Sequence, residues 1–236
     1  MDVDQYLSGF SQEAIFQAGD TFCLERHLTG LGYKRVAGVD EAGRGPLAGP
    51  VVAGCVILPP DCDYSLFEDS KKLTARQRQV CFDRLRELEA AVGVGLSSPR
   101  EIEEINILQA SLLAMKRAVE DCLDSTLPDF LLVDGTFTVH ISLPQQSLIK
   151  GESKSASIAA ASIVAKVTRD SLMAKAHQTY PQYNFIANQG YPTREHRRAI
   201  AEHGPCKLHR RTFKGVREFC DSPGTETVRP HQPALW

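Results

Sequence analysis

"VAGVDEAGRGPLAGPVVAGCVIL", residues 36–58, decides the fold. Two apolar, β-branched runs flank a segment too rich in glycine and proline for helix or strand. "YKRVAGVD" and "GPVVAGCVILP" read as strands, and so short a link makes them an antiparallel hairpin. Asp40 and Glu41 stand together where the first run stops, and Gly43, Arg44 and Gly45 follow at once. A nucleotide-triphosphatase loop would need G-x-x-x-x-G-K-[ST], and no Lys-Ser or Lys-Thr follows here. The glycines read instead as backbone brought close to a ligand, offering peptide groups to a sugar edge, with Arg44 as a phosphate contact.

Outward from this hairpin, helices and strands alternate. "SKKLTARQRQVCFDRLREL" is an amphipathic helix with Ser70 as its expected N-cap. "AAVGVGLSS" is a third strand. "SPREIEEINILQASLLAMKRAVEDCL" is one long helix capped by Ser98, with Pro99 in its first turn. "PDFLLVDG" and "QQSLIKG" are further strands. The Ala-rich "SKSASIAAASIVAKVTRDSLMAKAHQTY" is the clearest helix, capped by Ser153 or Ser155, and Ala159–Ala161 allow very close packing against it. Asp170, mid-helix, pairs most simply with Lys166. Hairpin strands followed by alternating helices and strands imply an α/β fold: a mixed sheet flanked by helices, then a small C-terminal helical lobe.

Composition narrows the classes. Hydrophobic residues make up 42% and charged residues 24% of 236, the balance of an ordinary globular protein. No apolar run is long enough to cross a bilayer, and the acidic start does not read as a signal peptide, so a cytoplasmic location without membrane contact is expected. The 7 cysteines, with no C-x-x-C among them, read as reduced thiols. "HGPCKLH" offers His203, Cys206 and His209, but zinc takes four ligands and no second half-site is evident. Net charge is -2, yet Arg194–Arg217 holds eight Lys and Arg against two acids. Such a block is either a solvated helix face or a surface for phosphates.

Two strands end in acids, at Asp40 and Asp134. In parallel neighbours these carboxylates would share the carboxyl rim, where α/β sheets bind ligands. Alternation along a strand sends Glu41 to the opposite face, so the strand must end at Asp40 for Glu41 to join them. Three such acids need either protonation or cations between them, and hard oxygens favour Mg²⁺ or Mn²⁺. Glu152, before the Ala-rich helix, is a fourth acid. Ordinary turn and cap chemistry accounts for the same spacing, and the residues alone leave both readings open.

At this point the motifs resemble a family. "AGVDEAGRGPLAGPVVAGCVIL", "DSKKLTARQR", "EIEEINILQASLLAMKRAV", "LLVDG", "KGESKSASIAAASIVAKVTRD", "QGYPTREH" and "HRRTF" look like bacterial ribonuclease HII, in the right order from about Lys34 to Arg217. The resemblance implies a ribonuclease H-like mixed sheet over 34–176 and a nucleic-acid-binding helical lobe over 177–220. It leaves a helical extension over 1–33 and a tail over 221–236 that reads as disordered. It implies an endoribonuclease, a ribonuclease H, that cuts RNA–DNA hybrids and duplex DNA 5′ of single embedded ribonucleotides, leaving 5′-phosphate and 3′-hydroxyl ends. By motif, Asp40, Glu41, Asp134 and Glu152 would be catalytic and would hold two Mg²⁺ or Mn²⁺ ions. Gly43, Arg44 and Gly45 would read the 2′-hydroxyl, and Tyr191 would stack on the neighbouring deoxyribose. Lys71, Lys72, Arg197, Arg198, Arg210 and Arg211 are the expected phosphate contacts. A monomer is expected, and the tail is held open for a replication-clamp contact. Three departures stand out: Glu152 where the family has Asp, Asn188-Gln189 where it has His-Lys, and Lys214-Gly215-Val216 where it has Gly-Pro-Val. The rivals are an integrase-like or DNA-cutting enzyme of the same fold, and a non-catalytic hybrid binder.

Overall fold

The computed structural model describes residues 20–67, 70–123 and 127–220. The expected tail, its clamp contact and most of the extension lie outside these residues.

The expected hairpin is present. β1 (Val36–Ala42) pairs antiparallel with β2 (Val51–Ile57), and β2 with β3 (Ala91–Ser97). β1 also pairs parallel with β4 (Phe130–Asp134), and β4 with β5 (Gln145–Leu148). The sheet order is therefore β3-β2-β1-β4-β5. The helices are α1 (Cys23–Gly30), α2 (Ala75–Glu87), α3 (Pro99–Leu123), α4 (Ala156–Thr179), α5 (Phe185–Asn188) and α6 (Arg194–His203).

One face of the sheet is covered by α3, through Val39, Cys55, Leu131, Met115 and Val119. The other is covered by α4, and α2 packs outside it. The approach of α4 is set by small residues on both sides. A Cβ on Gly38 of β1 would run into the backbone of Ser157 and Ile158, so only glycine fits there. Beyond α4, Tyr183, Phe185, Ile200, Leu208 and Val216 form a further apolar cluster, which takes in Leu47 and Ala48 of the β1–β2 loop. Among the described residues no helix is long and apolar enough to cross a membrane.

Three local expectations change. Thr74, not Ser70, caps α2: its Oγ1 accepts from Gln77 N, and Gln77 Oε1 accepts from Thr74 N. The Thr-x-x-Gln capping box satisfies two end donors at once, which Ser70 four residues earlier cannot do. Ser70 is buried instead, with its hydroxyl 2.7 Å from that of Ser162. α3 does start under Ser98, but it breaks at Asn106 (φ 67°), whose Oδ1 accepts from Leu108 N and Gln109 N and starts the helix again. β1 continues to Ala42 rather than ending at Asp40. The Ser155 cap and the Lys166–Asp170 pair are both present, the latter at 2.7 Å.

Candidate active site

Three parallel strands finish at one rim. The β1–β4 register ends with Val39 opposite Val133, so the next residue of each strand, Asp40 and Asp134, reaches the same edge. β5 extends the row, with Leu148 opposite Asp134. The chain then turns through Lys150, at φ 57°, into the short 3-10 turn Gly151–Ser153, which carries Glu152.

Glu41 joins the group although β1 does not stop before it. Its residue still pairs with Ala53 of β2, while the ladder to β4 has already ended at Val39. A strand flanked on one side only leaves its rim open. The charge of Glu41 therefore acts on Asp40, and that of Asp134 on both.

Asp40 is 4% exposed, and its Oδ1 accepts from Glu41 N at 2.7 Å. Burial, then the charges of Glu41 and Asp134, push its carboxyl well above the usual carboxylate range. Burial also raises Glu41; Arg44, with Nη1 3.2 Å from Glu41 Oε1, opposes the rise and Asp134 adds to it. Asp134 Oδ1 accepts from Gly151 N at 2.6 Å. Glu152 takes Lys71 Nζ at 2.5 Å on one oxygen and the Ser162 hydroxyl at 3.5 Å on the other. Ser162 also eases the charge on Asp40. The sequence reading passed over Ser162, which links Asp40 and Glu152 from α4.

Among the described residues, no three His, Cys, Asp or Glu side chains converge tightly enough to chelate one ion as they stand. Each of the four acids is instead held by a donor of the chain itself. The donor set still fits a hard divalent cation. It is all oxygen at an open rim, and a cation among Asp40, Glu41 and Asp134 would offset both the burial and the added repulsion that raise the first two.

Beside the rim lies the β1–β2 loop. Gly43 (φ 99°) is buried against the guanidinium of Arg169, so glycine is required there for both conformation and space. Gly45 is different. It is exposed, and a Cβ there would meet only Tyr191 Cε1, at 3.7 Å. The loop and Tyr191, which is 42% exposed, thus border one surface. Lys71, Lys72, Arg197, Arg198 and Arg211 are exposed on the surface.

Arg210 is not. It is 0% exposed, and its N–H groups donate to the carbonyls of Gly43, Arg44, Pro46 and Gly49. With its donors engaged beneath the loop, it has no route to a phosphate, and the expected direct contact is corrected. The residue sequence reasoning missed is its companion Arg169, 1% exposed and donating to Ala48, Pro50 and Gln189 carbonyls.

Tyr191 is anchored from behind. Cys206 N–H donates to His209 Nδ1 at 2.9 Å, which places the His209 proton on Nε2. That proton faces His196 Nε2 at 3.0 Å, so His196 carries its own on Nδ1 and donates it to the Tyr191 carbonyl at 2.9 Å. Both rings are buried, and burial holds His209 at about 3 and lowers His196 as well. The Nδ1 lone pair of His209 thus points at Cys206, accepting from its N–H, with Cys206 Sγ 3.2 Å away.

The family model described as Ribonuclease HII matches residues 37–216. The chain is 61% identical over 203 residues to a protein named ribonuclease HII from Desulfotalea psychrophila, covering 86% of this chain and 90% of that one. It is 50% identical over 196 residues to the ribonuclease HII of Syntrophotalea carbinolica, covering 83% and 93%. Among solved structures, ribonuclease H2 from Pyrococcus horikoshii OT3 superposes with a TM-score of 0.63 at 29% identity, over 78% of this chain and 96% of that one.

Proposed function

The chain belongs to the ribonuclease HII family, and from that premise we propose a specific reaction for its rim of carboxylates. As a member it is a ribonuclease H, an endoribonuclease of RNA–DNA hybrids. The proposal adds that it cuts duplex DNA 5′ of a single embedded ribonucleotide, leaving 5′-phosphate and 3′-hydroxyl ends. Asp40, Glu41, Asp134 and Glu152 would hold two Mg²⁺ or Mn²⁺ ions. Such ions supply water activation and stabilise a leaving 3′-oxygen when bound.

The residues divide the remaining work. Asp40 and Asp134 fix the position of the site through the sheet register. Lys71 and Arg44 neutralise Glu152 and Glu41 in the resting chain, at 2.5 and 3.2 Å. Lys71, Lys72 and Arg211 suit the phosphates on either side, contacts that set position without reading sequence. The peptides of Gly43, Arg44 and Gly45 suit the 2′-hydroxyl, the group that distinguishes RNA from DNA at one nucleotide. Tyr191, beside Gly45, suits the sugar beyond it.

The observation that carries this reading is the shared rim: Asp40 and Asp134 in register, with the charge of Asp134 acting on both Asp40 and Glu41. The test is a duplex with one ribonucleotide, incubated with Mg²⁺, with Mn²⁺ and with chelator. Metal-dependent cutting 5′ of the ribonucleotide is expected, and equal cutting of all-DNA duplex would overturn the reading. Asp134→Asn should lower the rate by at least about a hundredfold while hybrid binding survives. An Asp134→Asn protein of undiminished rate would point to a rim whose acids only cap and pair.

A further inference from the structure

Two buried cations lie beneath the loop that the proposed reaction uses to read ribose. Arg210 Nη2 donates to Gly43 O at 2.5 Å and to Gly49 O at 2.9 Å; Nη1 donates to Arg44 O at 2.9 Å and Pro46 O at 2.8 Å. Arg169 donates from Nη2 to Ala48 O and from Nε to Pro50 O, both at 3.1 Å. Its Nη1 reaches Gln189 O, next to the Gly190–Tyr191 turn, at 2.9 Å. Every one of these acceptors is a backbone carbonyl. Main-chain bonds complete the frame: Leu47 N to Gly190 O, Arg210 N to Leu47 O and Gly49 N to Leu208 O, each 2.8 Å.

The arrangement has a direct geometric consequence. In a planar trans peptide, the N–H of one residue points opposite to the C=O of the residue before it. Holding the Gly43 carbonyl inward turns the Arg44 N–H outward. Holding the Arg44 carbonyl inward turns the Gly45 N–H outward. Arg44 and Gly45 are the exposed residues of the loop, and among the described residues neither N–H has an acceptor.

We propose that Arg169 and Arg210 are positioning residues for ribose recognition: they fix the peptides of Gly43 and Arg44 from below, so that two N–H donors face the 2′-hydroxyl before substrate arrives. This rests on the function proposed above. Arginine suits the task because its planar fork spans several carbonyls at set angles, which a lysine ammonium cannot do. Both guanidiniums stay charged at neutral pH: burial lowers Arg169 to about 10, and burial together with the charge of Arg169 lowers Arg210 to about 9. Two positive charges under the loop polarise its peptides in the same sense, strengthening the outward N–H groups as donors.

The test separates selectivity from general binding. Dissociation constants are measured in chelator, with cleavage off, for a DNA duplex carrying one ribonucleotide and for the all-DNA duplex. Wild type should prefer the ribonucleotide. Arg210→Lys keeps the charge and loses the fork, so its preference should shrink about tenfold, the worth of one well-made hydrogen bond. Its affinity for all-DNA should stay within about twofold of wild type. An undiminished preference, or an equal loss on both duplexes, overturns the proposal. A wild-type enzyme without any preference sinks the ribose reading itself, and the arginine role falls with it. Should Arg210→Lys fail to fold, backbone ¹⁵N relaxation on the free wild type decides. Order parameters near about 0.85 at Arg44 and Gly45 support a preset loop, and values below about 0.6 overturn it.

Discussion

Gly54→Ala tests whether close packing places the site. Gly54 lies opposite Asp40 in the β1–β2 ladder. A Cβ there would stand 2.5 Å from the Ala161 carbonyl oxygen and 3.1 Å from Val164 Cβ, where ordinary contact begins at 3.4 Å. The obstructing oxygen is backbone, so no rotamer change relieves it, and α4 must retreat by roughly 0.9 Å in a close-packed interior. Overpacking of this kind costs about 1–3 kcal/mol. In open space the same change would stabilise a strand by about 0.5–1 kcal/mol, because alanine has less freedom to lose. The sign of the measured change therefore discriminates. We expect a net loss of about 1–2 kcal/mol in urea unfolding, and a Tm lower by about 3–6 °C. Ser162 follows Ala161, so the same displacement moves the hydroxyl that serves Asp40 and Glu152. Cleavage should slow by about tenfold to a hundredfold. A variant as stable as wild type and fully active would refute the packing argument.

Tyr191→Ala should reduce cutting at a DNA-embedded ribonucleotide more than on a long hybrid, in parallel steady-state assays; an equal loss on both removes the junction role. His209 concerns pH. Its ring sits at about 3 in the fold against about 6.5 in an unfolded chain, so the unfolded state takes a proton that the folded state refuses. Its contribution to stability is complete above about 6.5 and is lost as pH falls toward about 3. Between pH 7 and 5 that amounts to about 2 kcal/mol. His209→Gln, though less stable at pH 7, should show a shallower loss of stability between those pH values; an unchanged slope contradicts the assignment. Asp40 and Glu41 run the other way. Their raised folded values mean that their contribution is present at low pH and lost as pH rises through those values. Protons and cations compete for the same oxygens. Mg²⁺ should therefore raise Tm more at pH 8 than at pH 5.5, and not at all in Asp40→Asn; equal shifts in all three cases would count against the ion site.

Local rules made much of the architecture legible. β-branched runs located the hairpin, and Asp after an apolar run located the end of β4, whereas β1 runs two residues past its Asp to Ala42. The Ser98 cap followed from Pro99 and the acids behind it. Where two local rules competed, the sequence was ambiguous: Ser70 and Thr74 are both good caps, and only the partner Gln77 separates them. Arg210 and Arg211 show the harder limit. They are the same residue type, adjacent, in one basic block, yet one is buried and one exposed. What distinguishes them is the carbonyl-lined underside of a loop some 160 positions earlier, and no window of the sequence contains both. Glu25 is similar. It lies in the extension whose role the sequence left blank, yet it is 3% exposed, and its Oε1 accepts from Ser155 Oγ and Ser157 N at the start of α4.

One signal for the missed residues was present in the Ala-rich helix. Ser155, Ser162 and Arg169 recur every seven residues, two turns apart, and so share one face of α4 with only slight drift. Ser155 meets Glu25 at the helix start, Ser162 serves Glu152 and Asp40, and Arg169 holds the β1–β2 loop. A polar stripe of this kind in a buried helix requires partners, because unpaired polar groups in a core are costly. Its partners are the two halves of the proposed chemistry, the carboxylate rim and the loop. The small residues Gly38 and Gly54 bring this helix onto β1 and β2, so rim and loop are referenced to one rigid element rather than to each other. A substitution that shifts α4 as a body, such as Gly54→Ala, should therefore impair cleavage rate and ribonucleotide preference together. Arg210→Lys, which releases only the loop, should impair the preference first.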